Sequence, residues 1–299
     1  MEYFSDKEAI SNSQTIDLVT PAAWGGIVAL IQSLVATGAF GQKYPEMCPD
    51  GDGPTGTDEQ SFVLALKAEV PDIQWPLETE KREPGGLSYE KKPWAPETMA
   101  ALDLIQFCYQ AVAKPIQGGY HSYFRHHHLS FDEEAGKESF REKINTIFRR
   151  NGIAFVLEYE GEIKRMVPEQ FKSFISTHLR TGDSVLDNMI DDAQKKFINP
   201  DTKIRKEAIE RLWDCWERIK TLENPTNKKE SISTLLDKTS TEPNIRILLE
   251  EEARKLTDIG NTFHIRHSEV TQVLIADNRM IDYLFYRLFA FIQMLLSSR

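Results

Sequence analysis

The stretch "KIRKEAIERLWDCWERIK", residues 203–220, decides the fold class of the C-terminal part of the chain. Its apolar residues recur every three or four positions, which is the spacing of one face of an α-helix. Charged residues fill most of the other positions, so such a helix would bury one face. The stripe consists of Ile204, Ala208, Leu212, Cys215, Trp216 and Ile219. The pattern therefore predicts a helix that packs into a helical bundle.

Helical patterns continue after this stretch. Residues 244–269, "NIRILLEEEARKLTDIGNTFHIRHSE", predict one long helix that Gly260 could interrupt. The final segment, residues 280–299, is almost long and apolar enough to cross a bilayer. It contains Asp282 and Arg287, and charges are costly inside a bilayer, so we expect a buried or dimer-facing helix and no membrane partner.

The N-terminal part is predicted to be helix-rich with one small β-hairpin near residues 153–166. β-favouring residues there flank a Glu160-Gly161 turn, which is typical of a hairpin. The expected fold is mainly α, of the α+β type. We expect a helix-rich domain at residues 1–180 and a helical bundle at residues 181–299.

The helix and hairpin at residues 140–167 follow one another as in a winged helix, a common nucleic-acid-binding form. Lys164 and Arg165 on the second strand would then contact the nucleic acid. Alternatively, the hairpin is a structural ribbon that covers a helical core. Both interpretations remain open at this point.

The overall composition restricts the class of partner. The 299 residues carry a formal net charge of −10, which argues against a protein that binds DNA through many phosphates. The cysteines, Cys48, Cys108 and Cys215, lie far apart, which indicates free thiols in a reducing compartment. No apolar signal-peptide segment begins the chain, so we expect a cytoplasmic protein.

Four of the seven histidines lie in "YHSYFRHHHLS", residues 120–130. If this stretch is a helix, adjacent histidines diverge and at most two could share a metal, whereas zinc needs three or four convergent ligands. We therefore expect no metal or other cofactor. His121, Arg125 and His128 would instead line one helical face and present cations to an anion. The alternative is a mixed helix whose histidines are hydrogen-bonded or solvated.

The stretch "GNTFHIRHSE", residues 260–269, is unusually polar. Asn261, His264 and His267 are three positions apart, which places them near one face of a helix. Cleavage of RNA without a metal needs a base, an acid and a cation for the phosphate charge. Histidine suits proton transfer near neutral pH, and arginine suits phosphate. Alternatively, His264 is a core residue and Arg266 pairs with Glu269 at a helix end.

The C-terminal third resembles that of bacterial abortive-infection proteins of the HEPN group (higher eukaryotes and prokaryotes nucleotide-binding domains). The segments that carry the resemblance are "RLWDCWERIKTL", "KKESISTLL", "LTDIGNTFHIRHSE" and "DYLFYRLFAFI". The preceding "INTIFRRNGIAFVLEYEGEIKRMVP" is similar to the corresponding segment of these proteins, so the resemblance covers roughly residues 140–297. It implies an all-α bundle that dimerises and, in active members, cuts RNA without a metal.

Active members carry an arginine, then four to six residues, then a histidine. His267 matches the histidine, but the residues that precede it with five and six intervening positions are Asn261 and Gly260, not an arginine. Either the site is degenerate, or another residue supplies the cation. The candidate donors are Arg266, Arg125 and Arg165.

The resulting prediction is a dimeric, metal-independent ribonuclease that acts in phage defence. His267 would be the general acid or base, Arg266 would hold the phosphate, and Asn261 and His264 would orient the RNA. The N-terminal part would sense a phage or host protein. Further substrate-binding residues would be Arg125, His128, Lys164 and Arg165. The alternatives are a non-catalytic dimerisation or sensing module, and a nucleic-acid-binding regulator.

Overall fold

A computed structural model of the chain describes residues 14–85, 88–263, 265, 273, 275 and 277–298. The chain divides into two compact units, Met1–Met166 and Val167–Arg299. Each unit has its own hydrophobic core. The two units meet between Met166 and Val167, earlier in the chain than the domain boundary near residue 180 that the sequence pattern predicts. The mainly α fold with small β elements is confirmed.

The described residues of the first unit form four helices and four antiparallel two-stranded ribbons. The helices are α1 (Pro21–Ala36), α2 (Glu59–Glu69), α3 (Thr98–Ala111) and α4 (Glu133–Arg150). The ribbons are β1 (Pro45–Met47) with β2 (Pro54–Thr57), β3 (Glu80–Gly85) with β4 (Ser88–Pro93), β5 (Lys114–His121) with β6 (His126–Asp132), and β7 (Phe155–Leu157) with β8 (Ile163–Arg165).

Helix α1 shows how sequence determines these elements. Thr20 accepts a hydrogen bond from the backbone of Ala23, and Pro21 occupies the first turn, where a missing N–H costs nothing. Trp24, Ile27 and Ile31 then recur at helical spacing and are fully buried in the core of the unit.

The histidine-rich stretch is not a helix, contrary to the sequence-based prediction. Residues 114–132 form the β5–β6 hairpin, in which His121 pairs with His126 and Tyr120 with His127. Glycine is a poor helix former, and Gly118 and Gly119 lie in the first strand, where the register shifts. Arg125 adopts a left-handed φ of 58° in the turn. The helical face predicted for His121, Arg125 and His128 therefore does not exist.

The described residues of the second unit form six helices. Residues of the predicted apolar stripe from Ala208 to Ile219 are fully buried, so this prediction is confirmed. The helices are α5 (Glu169–Ile175), α6 (Ser184–Phe197), α7 (Thr202–Ile219), α8 (Lys228–Thr239), α9 (Pro243–Thr262) and α10 (Asn278–Ser297).

Helix α10 is long and apolar enough to cross a membrane by length and composition alone. It nevertheless buries a full face in the core of the second unit, where Phe285 stacks on Phe197 with ring centroids 3.8 Å apart. Burial of this kind is typical of a core helix of a soluble protein. The buried residues are Ile281, Leu284, Phe285, Leu288, Phe289, Phe291, Ile292 and Leu295.

Asp183 joins helix α6 to helix α7. Its carboxylate accepts hydrogen bonds from the backbone N–H groups of Val185 and Leu186, and from the Arg218 guanidinium at 2.9 and 3.0 Å. Partial burial raises the pKa of Asp183, but these donors and the Arg218 charge outweigh burial, so the pKa lies below its ordinary value. Asp183 therefore stabilises the second unit in its ionised form.

We expect Asp183→Ala to lower the free energy of unfolding of the second unit by about 1 kcal/mol at pH 7, because a helix cap is lost. A lowered folded-state pKa means that the stabilisation is complete above the unfolded pKa of about 4 and is lost as pH falls through the folded value. Urea unfolding from pH 3 to 7 measures this. If the difference in free energy of unfolding between the wild type and Asp183→Ala grew as the pH fell, the stabilising role of ionised Asp183 would be contradicted.

Candidate functional site

Helix α9 ends at Thr262, before the predicted polar triad is complete. Phe263 is extended, with φ −89° and ψ 152°, and it forms a parallel bridge with Val273. The single long helix predicted through residue 269 is therefore wrong, and of Asn261, His264 and His267 only Asn261 belongs to the described helix. His264, Arg266 and His267 lie outside the described residues, so their catalytic roles stay predictions.

The last turn of α9 is held close to the core by its glycine. A Cβ atom on Gly260 would lie 2.3 Å from Cδ1 and 2.4 Å from Nε1 of Trp213. Trp213 donates from that nitrogen to the carbonyl of Leu256 at 3.0 Å, and Trp216 donates to the Thr257 hydroxyl at 3.2 Å. The two indoles therefore fix the end of the helix that leads into the polar stretch.

A pocket of about 490 Å³ lies among helices α7, α8 and α9. Of its charged lining residues, five are cationic and two are acidic, although the whole chain is acidic. Asn261 follows the lining residues Thr257 and Asp258 by one turn, so it continues the same face of α9. The charged residues are Lys220, Lys228, Lys229, Arg246, Arg254, Glu250 and Asp258.

Several of these cations already have acidic neighbours. Arg246 contacts Asp237 at 2.6 Å and Glu250 at 3.1 Å, and Lys228 contacts Glu217 at 3.2 Å. At least one side chain in each pair is well exposed, and exposed ion pairs contribute little free energy. An incoming phosphate can therefore compete for Arg246 and Lys228 at low cost, whereas Lys220 pairs with Glu217 where the two side chains are only 11% and 20% exposed.

Arg165 and Lys164 differ sharply in their surroundings. The Arg165 guanidinium lies 2.8 Å from the carboxylate of Asp17, and the two side chains are only 7% and 9% exposed. Lys164 is exposed beside Glu162, at 3.4 Å. The substrate-binding roles predicted for these two residues stay untested, but a buried ion pair is available to Arg165 within the first unit.

The β5–β6 hairpin gathers three imidazole rings. The ring centroids of His121, His126 and His128 lie 5.5–5.7 Å apart in pairs. His126 and His128 are two positions apart on one strand, so their side chains point to the same face. The ring of Phe124 lies parallel to that of His126, at a centroid distance of 5.9 Å.

The loop between β1 and β2 brings a thiol and carboxylates to these rings. His126 Nε2 is 3.1 Å from Cys48 Sγ, and His121 Nε2 is 2.7 Å from Asp50 Oδ2. Burial raises the pKa of the Cys48 thiol, and the hydrogen bond to Asp50 raises it further. The hydrogen bond from Cys48, together with His121 and His128, lowers the pKa of Asp50.

This arrangement changes the expected character of the histidine stretch. The predicted anion-binding face contained His121, Arg125 and His128, but the carboxylates of Asp50 and Asp52 lie next to His121. The stretch is therefore not a purely cationic surface. The sequence did contain one signal: His126 and His128 are two positions apart, and such residues point to the same side if the segment is a strand. No local pattern links these histidines to Cys48.

Comparison with known proteins identifies the family. Residues 2–181 match the family described as AbiJ N-terminal domain 4, which is more than half of the 299-residue chain. No curated protein sequence and no solved structure matches the chain. The abortive-infection resemblance is thereby confirmed at the level of the family. The chain belongs to the AbiJ N-terminal domain 4 family of abortive-infection proteins, whose function is phage defence.

Proposed function

We propose that the protein is a cytoplasmic phage-defence effector whose C-terminal unit cleaves RNA under the control of its AbiJ N-terminal unit. The observation that carries this proposal is the cation-lined pocket on helices α7–α9. Helix α9 lines this pocket as far as Asp258, and its last residues begin the polar stretch at residues 260–269. Grouped Lys and Arg residues in an acidic protein favour a local polyanion such as RNA.

In the proposed reaction, a base removes the proton of a ribose 2′-hydroxyl, and that oxygen attacks the adjacent phosphorus. The bond from phosphorus to the 5′-oxygen breaks, and an acid protonates the leaving oxygen. His267 is the proposed acid or base, Arg266 stabilises the phosphate charge, and Asn261 and His264 orient the RNA. The products are a 2′,3′-cyclic phosphate and a 5′-hydroxyl end.

We propose further that the effector acts as a homodimer through the outer face of α10. Met280, Tyr283 and Met294 lie on one face of that helix, with Arg287 between them, and are 39–53% exposed. Exposed apolar stripes of this kind mark interfaces. A dimer would bring two copies of the polar stretch together, as the HEPN resemblance implies.

A second candidate function is a non-catalytic dimerisation or sensing module. Asn261 stands where active HEPN members carry arginine, and α9 ends before the histidines. Both observations favour loss of catalysis. This candidate keeps the family's defence role but assigns RNA cleavage to no residue of the chain. The two candidates differ in the effect of replacing His267.

We expect the full-length protein to cleave total cellular RNA in EDTA, with a loss of about 10²–10⁴-fold in rate in His267→Ala, the usual contribution of a general acid or base. Lys229→Glu in the pocket should lower the salt dependence of RNA binding by about one phosphate contact. Lys203→Glu is the control, because Lys203 is exposed on α7 away from the pocket lining. Cleavage that is unchanged in His267→Ala would rule out the catalytic role of His267, and absent cleavage would favour the non-catalytic candidate.

A further inference from the structure

The first unit contains a cluster of metal-binding side chains that plays no part in the proposed RNA chemistry. Cys48, His126 and His128 each bring one ligand atom to within 4.8 Å of the other two. Cys48 is buried, and both histidines are half-buried. One thiol and two imidazoles are therefore already assembled by the fold, in a place shielded from bulk water.

The backbone around the cluster is well fixed. Cys48 lies at the base of the β1–β2 loop, where its N–H donates to Gly53 and its carbonyl accepts from Gly51, both at 2.9 Å. Strand β2 packs against β6, which carries His126 and His128. The sulfur and the two rings are thus positioned by separate elements, as in sites that are ready to receive a ligand.

His128 supplies an independent observation. Its Nε2 atom is buried, and the residues that the structure describes offer it no hydrogen-bond partner. Buried polar atoms almost always have a partner, so an unpartnered nitrogen needs an explanation. A metal ion among Cys48, His126 and His128 would provide the missing partner.

We propose that Cys48, His126 and His128 bind a zinc ion that joins the β1–β2 loop to the β5–β6 hairpin. Thiolate and imidazole ligands favour zinc over calcium or magnesium, which prefer oxygen. In a tetrahedral zinc site, ligand atoms are about 3.3–3.8 Å apart. The ligand atoms of Cys48, His126 and His128 already lie within 4.8 Å of one another, so small side-chain movements would bring them to the distances that zinc requires. The metal would replace the Cys48 thiol proton, which is released to solvent.

Asp50 would supply the fourth ligand after a movement of its carboxylate toward the other three, because in the structure it meets the 4.8 Å limit with Asp52 and His121 instead. Its carboxylate lies next to the Cys48 thiol and accepts a hydrogen bond from His121 Nε2. His121 Nδ1 accepts from the Phe124 N–H at 3.3 Å, which leaves the proton on Nε2 to donate to Asp50. His121 is therefore a positioning residue that orients a ligand, a common arrangement around protein metal sites.

The test uses the full-length protein without an affinity tag, since histidine tags bind metals. Zinc titration against a chelating dye should give one equivalent per chain. Cobalt as the probe should produce a thiolate-to-cobalt charge-transfer band and the strong visible bands of a tetrahedral ion. Cys48→Ser should abolish the charge-transfer band. His126→Ala and His128→Ala should each weaken zinc binding by about a hundredfold or more.

His127→Ala is the matched control, because His127 lies between the two proposed ligands but points to the opposite face of the strand. It should bind zinc and cobalt as the wild type does, and circular dichroism confirms that each variant folds. Failure to bind one equivalent, a weakly absorbing octahedral cobalt spectrum, or equal losses in His127→Ala and His128→Ala would overturn the proposal. None of these readouts involves RNA, so they stand apart from the outcome of the cleavage assay.

Discussion

Arg165→Met is expected to lower the free energy of unfolding of the first unit by about 3–5 kcal/mol, the usual cost of breaking a buried ion pair from one side. Nε of Arg165 is 2.8 Å from Oδ1 of Asp17, and Nη2 is 3.4 Å from Oδ2. The substitution leaves the Asp17 carboxylate without this guanidinium, in a site where its side chain is only 9% exposed. Urea unfolding monitored by hydrogen exchange would assign the loss to the first unit.

Lys164→Met provides the control on the neighbouring residue. Lys164 is 40% exposed and its partner Glu162 is 68% exposed, so removal of the pair should cost less than about 1 kcal/mol. A double variant, Arg165→Met with Asp17→Asn, should recover part of the stability because the buried Asp17 charge is also removed. If Arg165→Met leaves stability unchanged and weakens RNA binding instead, Arg165 is a substrate-binding residue.

Gly260→Ala is expected to destabilise the second unit by about 2 kcal/mol. Alanine is favoured over glycine inside a helix by about 1 kcal/mol, but overpacking a core costs about 1–3 kcal/mol or more. The new Cβ would lie 2.3 Å from the Trp213 indole, which is 1% exposed and too rigid to yield. The clash therefore outweighs the gain in helix propensity.

Gly25→Ala is the matched control for this prediction. Gly25 also lies in a helix, α1, but a Cβ atom there would meet nothing within 4 Å. This substitution should leave stability unchanged or raise it by up to about 1 kcal/mol. Thermal unfolding of both variants, with hydrogen exchange to resolve the units, measures the difference. Equal stability changes for the two variants would show that Trp213 does not constrain the end of α9.

The helical bundle could be predicted from sequence because its information is local. The apolar residues from Ala208 to Ile219 follow a helical period. That spacing alone places them on one face of the helix, and this face is buried in the core. The small hairpin near residues 153–166 was likewise visible from its turn, since Phe155–Leu157 pair with Ile163–Arg165. Patterns of this kind need no knowledge of distant parts of the chain.

The candidate metal ligands could not be predicted in this way. His126 lies 78 residues from Cys48, and Arg165 lies 148 residues from Asp17, so neither contact leaves a local pattern. Interpretation of residues 120–130 as a helix also hid the shared direction of His126 and His128. A helix separates residues two positions apart, whereas a strand aligns them. The wrong prediction of a helix over residues 120–130 therefore concealed that His126 and His128 could bind one metal ion together.

The end of α9 shows a similar limit. The apolar and charged residues of "LTDIGNTFHIRHSE" fit a helical period beyond Thr262, but the helix ends there. Contact between Gly260 and Trp213 belongs to tertiary packing, which the periodicity of one segment does not contain. The proposed roles of His264, Arg266 and His267 consequently rest on residue chemistry and on the HEPN resemblance.

The most direct test of RNA cleavage by the C-terminal unit is the chemistry of RNA ends in phage-infected cells. Cells that express the full-length protein should accumulate RNA fragments with 2′,3′-cyclic phosphate and 5′-hydroxyl ends after infection. Cells that express His267→Ala at the same level should not. Protection from phage with no such ends, or the same ends in both strains, would contradict a ribonuclease that uses His267.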